Sequence, residues 1–511
     1  MTFVPPNGTV ATPDRALDKA ALYANARRAA AGFRALGLGP GGAVATLLRN
    51  DIPFLEAALA ANWIGAFVAP VNWHLRGAEV RAILADSGAT VLAVHTDLLA
   101  EIRPFVPDGV RILAVEPSPS LVAAYRIAGA DARAPGDLDR WEDWTSGFEP
   151  VAGPPMGRFT MIYTSGTTAR PKGVTRAVTD PEAVRRAMAT VADAFGVRDG
   201  MSALMTGPMY HSATFAFSFG SLAFDSDLFL MPRFDAEELL RLIERQRADT
   251  LHMVPTMFGR LLRLPEAVRR RYDVSSLKYV VHGAAPCPPS VKRAMIDWWG
   301  PAIHEYYGST EAGIVSVASS EEWLARPGTV GRPRAATAVE IRDEAGAVLP
   351  PGQEGELHMR LNASTGFVYR NRPDMDEGTA EGAWFTNGDI GWQDEDGYLY
   401  LCDRRKDMII SGGVNIYPAE IEGVVCDHPA VRDCAVFGVP DDEFGEAVAA
   451  AVEAGDAVSE DEIRTHVAGR LARYKVPRIV TFHDALPRED SGKIFKRRLR
   501  DPYWAGADRR I

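Results

Sequence analysis

From residue 43 onward, short apolar runs alternate with segments whose apolar residues recur at helical spacing. Residues 43–48, 66–71 and 90–94 read as strands, and 54–64 and 77–86 as helices between them. Continuously apolar strands joined through helices predict a parallel sheet covered on both faces. Ligands of such sheets gather at the carboxyl ends of the strands. A second alternating region spans 201–281, with strands at 228–231 and 251–254 and an amphipathic helix at 236–246. β-rich sequence follows, with 355–361 and 397–401 as candidates. The stretch 117–155 is rich in Ala, Asp, Gly and Pro, follows neither period, and reads as surface connection, not core.

After Cys402 the pattern changes. A charged tract, 403–407, precedes a unit of its own with a strand at 408–410, a helix at 418–426 and a strand at 431–439. A charge run between two patterned blocks is a hinge candidate. The expected class is therefore α/β. A large N-terminal domain of layered α/β sheets with a β-rich subdomain occupies 1–402, a hinge 403–407, and a small mobile α+β C-terminal domain 408–511. The chain shows no internal repeat.

Composition narrows the function without choosing it. The 511 residues can bury two or three cores, and 47% hydrophobic with 24% charged residues is an ordinary globular balance. A formal net charge of −11 argues against a general nucleic-acid binder, which needs clustered Lys and Arg. The most basic stretch, 493–500, leaves room for a local anion site. Cys287, Cys402, Cys426 and Cys434 have no CxxC spacing, so neither a zinc site nor a disulfide framework is expected and a reducing compartment fits. Residues 1–10 lack the basic start and apolar core of a signal peptide, and no run reaches about 18 apolar residues. A cytoplasmic protein without a membrane span is the expectation.

The strongest chemical signal is YTSGTTARPKG at 163–173, directly after an apolar strand-like run. Gly166 lets backbone N–H groups turn inward, Thr164, Ser165, Thr167 and Thr168 add hydroxyl donors, and Lys172 supplies a point charge, which together suit a phosphate. It is not a Walker A loop, because Lys172 follows Pro171 and precedes Gly173. The order of residues resembles the signature of the adenylate-forming superfamily of acyl-CoA synthetases, luciferases and peptide-synthetase adenylation domains. Ala169 stands where that family usually has Gly; a positive φ there would strain Ala by about 1 kcal/mol or more.

The resemblance continues in serial order along most of the chain. PMYHS around His211 resembles the substrate-side motif, and Gly283, Ala284 and Ala285 the segment that lines adenine. YYGSTE at 306–311 resembles the YGxTE signature, which implies that Tyr307 stacks on adenine, Thr310 touches the α-phosphate and Glu311 holds Mg²⁺. NGD at 387–389 resembles the family's TGD, with Asp389 accepting from the ribose hydroxyls and Asn387 in place of Thr. The tract DRRKDMIISGG at 403–413 resembles the hinge and first strand of a mobile C-terminal domain. It implies Arg404 near ribose or phosphate, Lys406 as pivot, and Gly412 and Gly413 beside the pantetheine arm of coenzyme A. PREDSGK at 487–493 resembles the terminal motif whose lysine, here Lys493, serves adenylation.

These groups suit one reaction. When a carboxylate attacks the α-phosphate of ATP two anions meet, so Lys172, Lys493 and Mg²⁺ on Glu311 would stabilise the developing charge. A thiol with a pKa of about 8.5 then needs only modest help to displace AMP. No covalent nucleophile on the protein is required, and His211 reads as a pocket or gate residue. Gly308 replaces the Trp with which acetate-activating relatives close the acyl pocket, which predicts open space and an acid larger than acetate: fatty, aryl or polycyclic. The expected reactants are that acid, ATP and coenzyme A, with a homodimer the commonest arrangement for an oligomer. The alternative acceptor is the phosphopantetheine of a separate carrier protein. Amino-acid activation is disfavoured because no Asp follows Tyr210 closely. A luciferase-like oxygenase would demand a specialised pocket. A catalytically dead nucleotide-binding scaffold would not keep Lys172, Glu311, Asp389, Arg404 and Lys493 together.

Overall fold

The alternation of apolar strands and helices is realised as two sheets in the large body. In the computed structural model, which describes residues 3–164, 172–361, 366–372, 382–441, 443–488 and 493–505, one sheet carries Ala43–Leu47, Phe67–Pro70, Val91–His95 and Arg111–Val115 in parallel. Ala43–Leu47 is buried throughout. The helix Ile52–Trp63 is buried on every side, as expected for a helix apolar all round. It starts where the Asp51 carboxylate accepts the Ile52 N–H at 2.8 Å and Pro53 fits the first turn.

The second sheet is parallel from Ser202–Met205 through Thr250–Met253 and Tyr279–His282 to Ile303–Ser309. It then turns antiparallel through Gly313–Ala318 and Thr329–Pro333 into the β-rich part that holds Gly355–Leu361 and Phe385–Gln393. The helix Ala236–Gln246 covers this sheet. Asp235 caps it by accepting the Glu238 N–H at 2.9 Å, Leu239, Leu240, Leu242 and Ile243 face the core, and Arg247 at φ 49° ends it. The sheets pack with Ile52–Trp63 and Ser212–Leu222 between them, so the ends of strands from both face one cleft.

Two expectations need correction. The stretch 117–155 contributes to the core: it holds helices Pro119–Tyr125 and Trp141–Ser146, and Trp141 is fully buried with its indole N–H donated to Glu56 at 2.8 Å. Burial pushes the Glu56 carboxyl up, against hydrogen bonds from Trp141 and Asn25. Helices this short, anchored by Leu121 in the first and by Trp141 with Trp144 in the second, leave too few apolar positions to show a period. The strand expected at 397–401 is Leu399–Arg404, displaced because the 394–397 turn uses Gly397 at φ 86°.

Asp403 and Arg404 thus close a strand of the large sheet, and Asp407 and Met408 donate back to the Arg404 carbonyl across the turn that carries Lys406. The C-terminal unit follows, a sheet of Ile409–Ser411, Val414–Ile416, Val431–Asp441, Gly445–Ala454 and Ile479–His483 packed on Pro418–Cys426 and Glu460–Ala468. Its strand and helix positions follow the sequence pattern. All four cysteines are free thiols. Among the described residues no helix is long and apolar enough to cross a membrane.

Candidate active site

A cleft of about 2960 Å³ runs between the large body and the C-terminal unit and is lined from both. One wall is the hairpin of Arg158–Thr164 and Lys172–Val178, registered Thr164 to Lys172, Ile162 to Val174 and Thr160 to Arg176. Alternation sends Thr164, Ile162, Thr160 and Arg158 to the cleft and Phe159 and Met161 to the core. Ser165, Gly166, Thr167, Thr168 and Ala169 lie outside the described residues. The strands that flank them bring Thr164 and Lys172 to the cleft.

Around that end the structure gathers Lys172, Thr310 and Glu311. Lys172 Nζ lies 5.9 Å from the ring centroid of Tyr369, whose hydroxyl donates to Glu311 Oε1 at 3.2 Å. Thr310 Oγ1 donates to Ser212 Oγ at 3.2 Å, at the first residue of Ser212–Leu222, with His211 as the cap. Arg176 donates to the Thr310 carbonyl at 3.2 Å and also to the Glu311 carbonyl, fixing this turn from behind. Tyr369 and Arg176 were not singled out from sequence. An Arg on the cleft-facing parity of an otherwise apolar strand was the available signal.

Across the cleft Tyr307 is buried and its hydroxyl donates to Asp389 Oδ2 at 2.7 Å, while Arg404 Nε lies 3.3 Å from Oδ1. Burial and the Asp389 charge push the Tyr307 phenol up, so it stays a donor. Asp389 is thus held in place with acceptor capacity facing the cleft. Asn387 lines the same region with a buried Nδ2 that has no partner among the described residues. Gly283 is required by packing: a Cβ there would sit 2.6 Å from the Tyr306 carbonyl oxygen. Ala284 adopts φ 66°, a conformation that costs a non-glycine residue about 1 kcal/mol or more. That strain is local to the cleft, and nothing in the identity of Ala announced it.

The C-terminal unit presents Lys493 to this cleft. Its charge is felt by His211, whose pKa falls to about 3, first through burial and then through Lys493. His211 is therefore neutral at physiological pH and rings 4.3 Å from Tyr210. Lys406 also lines the cleft, its pKa lowered mainly by burial. Gly412 and Gly413 are not brought there. At φ 57° and 80° they form the two-residue turn between Ile409–Ser411 and Val414–Ile416, exposed and away from the cleft lining.

Gly308 lines the cleft, but the open space expected of it is absent. A Cβ at this position would lie 2.1 Å from the Gly313 carbonyl oxygen, because the Ile303–Ser309 and Gly313–Ala318 strands close on each other at a bulge between Tyr307 and Gly308. Glycine is needed there for backbone approach. Gly308→Ala should therefore lower stability by about 1–3 kcal/mol, read as an earlier chemical-denaturation midpoint. An unchanged midpoint would show that the strands yield.

Buried histidines give a second expectation. His252 is held near pKa 4 and His282 well below the ordinary value, both chiefly by burial, and His211 near 3. The unfolded chain protonates these rings near pH 6.5 and the folded protein does not, so stability is complete above that pH and declines as pH falls from it towards 4. Each ring contributes a slope of about 1.4 kcal/mol per pH unit in that window. His282→Asn should flatten the urea-midpoint profile between pH 6.5 and 4; an identical slope would contradict the assignment.

The chain is similar to known proteins over nearly its whole length. A family model described as AMP-binding enzyme matches residues 6–365, and one for the AMP-binding enzyme C-terminal domain matches 420–493. The long-chain-fatty-acid–CoA ligase FadD13 of Mycobacterium tuberculosis is 34% identical over 487 residues, 95% of this chain and 93% of that one. A feruloyl-CoA synthase from an Amycolatopsis species is 35% identical over 490 residues, 95% of this chain and 94% of that one. The solved structure of o-succinylbenzoate CoA synthetase from Bacillus subtilis, in complex with its acyl-adenylate intermediate, has a TM-score of 0.79 at 26% identity, covering 97% of this chain and 95% of that one.

Proposed function

We propose that this chain, which belongs to the AMP-binding enzyme family, is an acid–thiol ligase that joins a carboxylic acid larger than acetate to coenzyme A through an acyl-adenylate. The observation that carries this reading is the cleft with Lys172, Thr310 and Glu311 on the large body and Lys493 lining it from the C-terminal unit. Relatives named as ligases of fatty and aryl acids to coenzyme A support the same class.

In the first step the acid's carboxylate attacks the α-phosphate of ATP and pyrophosphate leaves. Lys172 would hold the outer phosphates, Thr310 the α-phosphate, and Lys493 would bridge carboxylate and α-phosphate as their charges meet. Asp389 would exchange the Tyr307 and Arg404 contacts it makes now for the ribose hydroxyls, with Tyr307 beside the adenine. Glu311 fits Mg²⁺, since one carboxylate with substrate phosphates is an ordinary ligand set and, among the described residues, its carboxylate accepts a hydrogen bond from the Tyr369 hydroxyl and faces the charge of Arg176. When bound, the ion would neutralise phosphate charge. In the second step the thiolate attacks the acyl carbonyl and AMP leaves. Gly412 and Gly413, now outside the cleft, would reach the thiol's path only after the C-terminal unit turns about Lys406.

Gly308 no longer argues for the size of the acid. The cleft walls do: Ile162, Val174, Ala213, Ala216 and Ile314 line it beyond the reacting groups, and acetate would leave them uncovered. Pyrophosphate release measured over fatty, aryl and polycyclic acids, with and without coenzyme A, tests the reading. Release with acetate alone would sink it.

A further inference from the structure

The cleft-facing edge of the hairpin wall carries charge where the rest is apolar. From the phosphate end it runs Thr164 and Lys172, then Ile162 and Val174, then Thr160 and Arg176, then Arg158 and Val178. Arg158 is thus one step beyond Arg176, about 7 Å further along the strand. Arg176 is answered by two carbonyls and by the charge of Glu311. Arg158 is answered by none of these. It is partly buried, its Nε is buried without a hydrogen-bond partner among the described residues, and the charge acting on it is the like charge of Arg176. Burial and that repulsion lower its pKa to about 10, which still leaves it fully charged at neutral pH.

A desolvated guanidinium facing a ligand cavity with no counter-charge is costly unless the ligand supplies one. The surroundings say which end of the ligand does so. Arg176 holds the turn of Thr310 and Glu311, so the reacting carboxylate would lie on that side, whereas Arg158 is paired with Val178 at the far end of the hairpin, in a cleft that Val191 and Ala187 also line. A planar fork of donors matches a carboxylate better than a neutral oxygen.

We infer that Arg158 is a specificity-determining residue that receives a second anionic group, a carboxylate at the far end of the acid, so that the preferred substrates are dicarboxylic acids activated at one end. This rests on the acyl-activating reading above. Arg158 touches the distal group only and takes no part in either bond-making step.

The test measures kcat/KM by pyrophosphate release for suberate, adipate and sebacate against octanoate, hexanoate, decanoate and the ω-hydroxy acid of each length. Wild-type protein should prefer the best diacid over its monoacid by about 10- to 100-fold, the range of a charge-assisted hydrogen bond. Arg158→Gln should remove that preference mainly through KM for the diacid, with KM for ATP and turnover of monoacids unchanged. Arg158→Lys should keep part of it and guards against misfolding of the first variant. Equal use of diacid and monoacid, an ω-hydroxy acid as good as the diacid, or a variant that lowers all acids alike would each overturn the inference while leaving acyl activation standing. Absence of pyrophosphate release with every acid would overturn both.

Discussion

Lys493→Ala should depress acyl-adenylate formation by about 10²–10³-fold, the usual cost of removing one preorganised charge from a transition state. Transfer from supplied acyl-AMP to coenzyme A should stay near the wild-type rate. The physical reason lies in placement. Lys493 stands on the C-terminal unit yet lowers the pKa of His211 in the large body, so in this conformation it shares the cleft with the groups that would hold the α-phosphate. A rotation of that unit would carry Lys493 out of the cleft. Separate assays of the two half-reactions decide the matter. An equal fall in both would mean that Lys493 supports the fold or the second step as well.

The second large effect concerns Lys406. The strand Leu399–Arg404 belongs to the large sheet and Ile409–Ser411 to the C-terminal sheet, so the turn around Lys406 is the short covalent link across which any rotation must pass. Lys406→Pro fixes φ near −65° and should hold the unit close to its present orientation. Adenylation should survive, whereas thioester formation should fall by about tenfold or more, since a rotation barrier raised by 1.4 kcal/mol suffices. Lys406→Ala, which keeps φ free, separates loss of rotation from loss of the ammonium group. Equal thioester rates for the Pro variant and wild type would remove Lys406 as the pivot.

What the sequence disclosed, and what it did not, divides along physical lines. Helices Ala236–Gln246 and Pro418–Cys426 and strand Gly355–Leu361 were readable to the residue: Asp235 caps the first, Pro418 fits the first turn of the second, and burial alternates along the strand. Trp141 was missed because a six-residue helix is too short to show a measurable period. Site residues in serial motifs, from Lys172 through Glu311 and Asp389 to Lys493, do line one cleft: Lys172 opens a strand, Glu311 lies in the turn after one and Asp389 lies within Phe385–Gln393. Gly308 was misread because a glycine that admits a ligand and one that admits a neighbouring backbone look alike in sequence; only the position of the Gly313 carbonyl tells them apart. Ala284 at φ 66° and the charge of Arg158, unanswered among the described residues, depend on tertiary placement. Once the register of the hairpin is known, Arg158 and Arg176 fall on the cleft-facing parity with Thr160, Ile162 and Thr164. That parity is the signal a strand-by-strand reading of charge would have caught.

The central claim is the adenylate route to a thioester, and the products of a single incubation test it most directly. Protein, ATP, Mg²⁺, coenzyme A and a panel of acids are combined, and nucleotides and thioesters are resolved by mass spectrometry. With carboxylate oxygen labelled with oxygen-18, AMP should carry the label, with one AMP, one pyrophosphate and one acyl-CoA formed together. ADP with labelled inorganic phosphate, or AMP without label, would contradict the account.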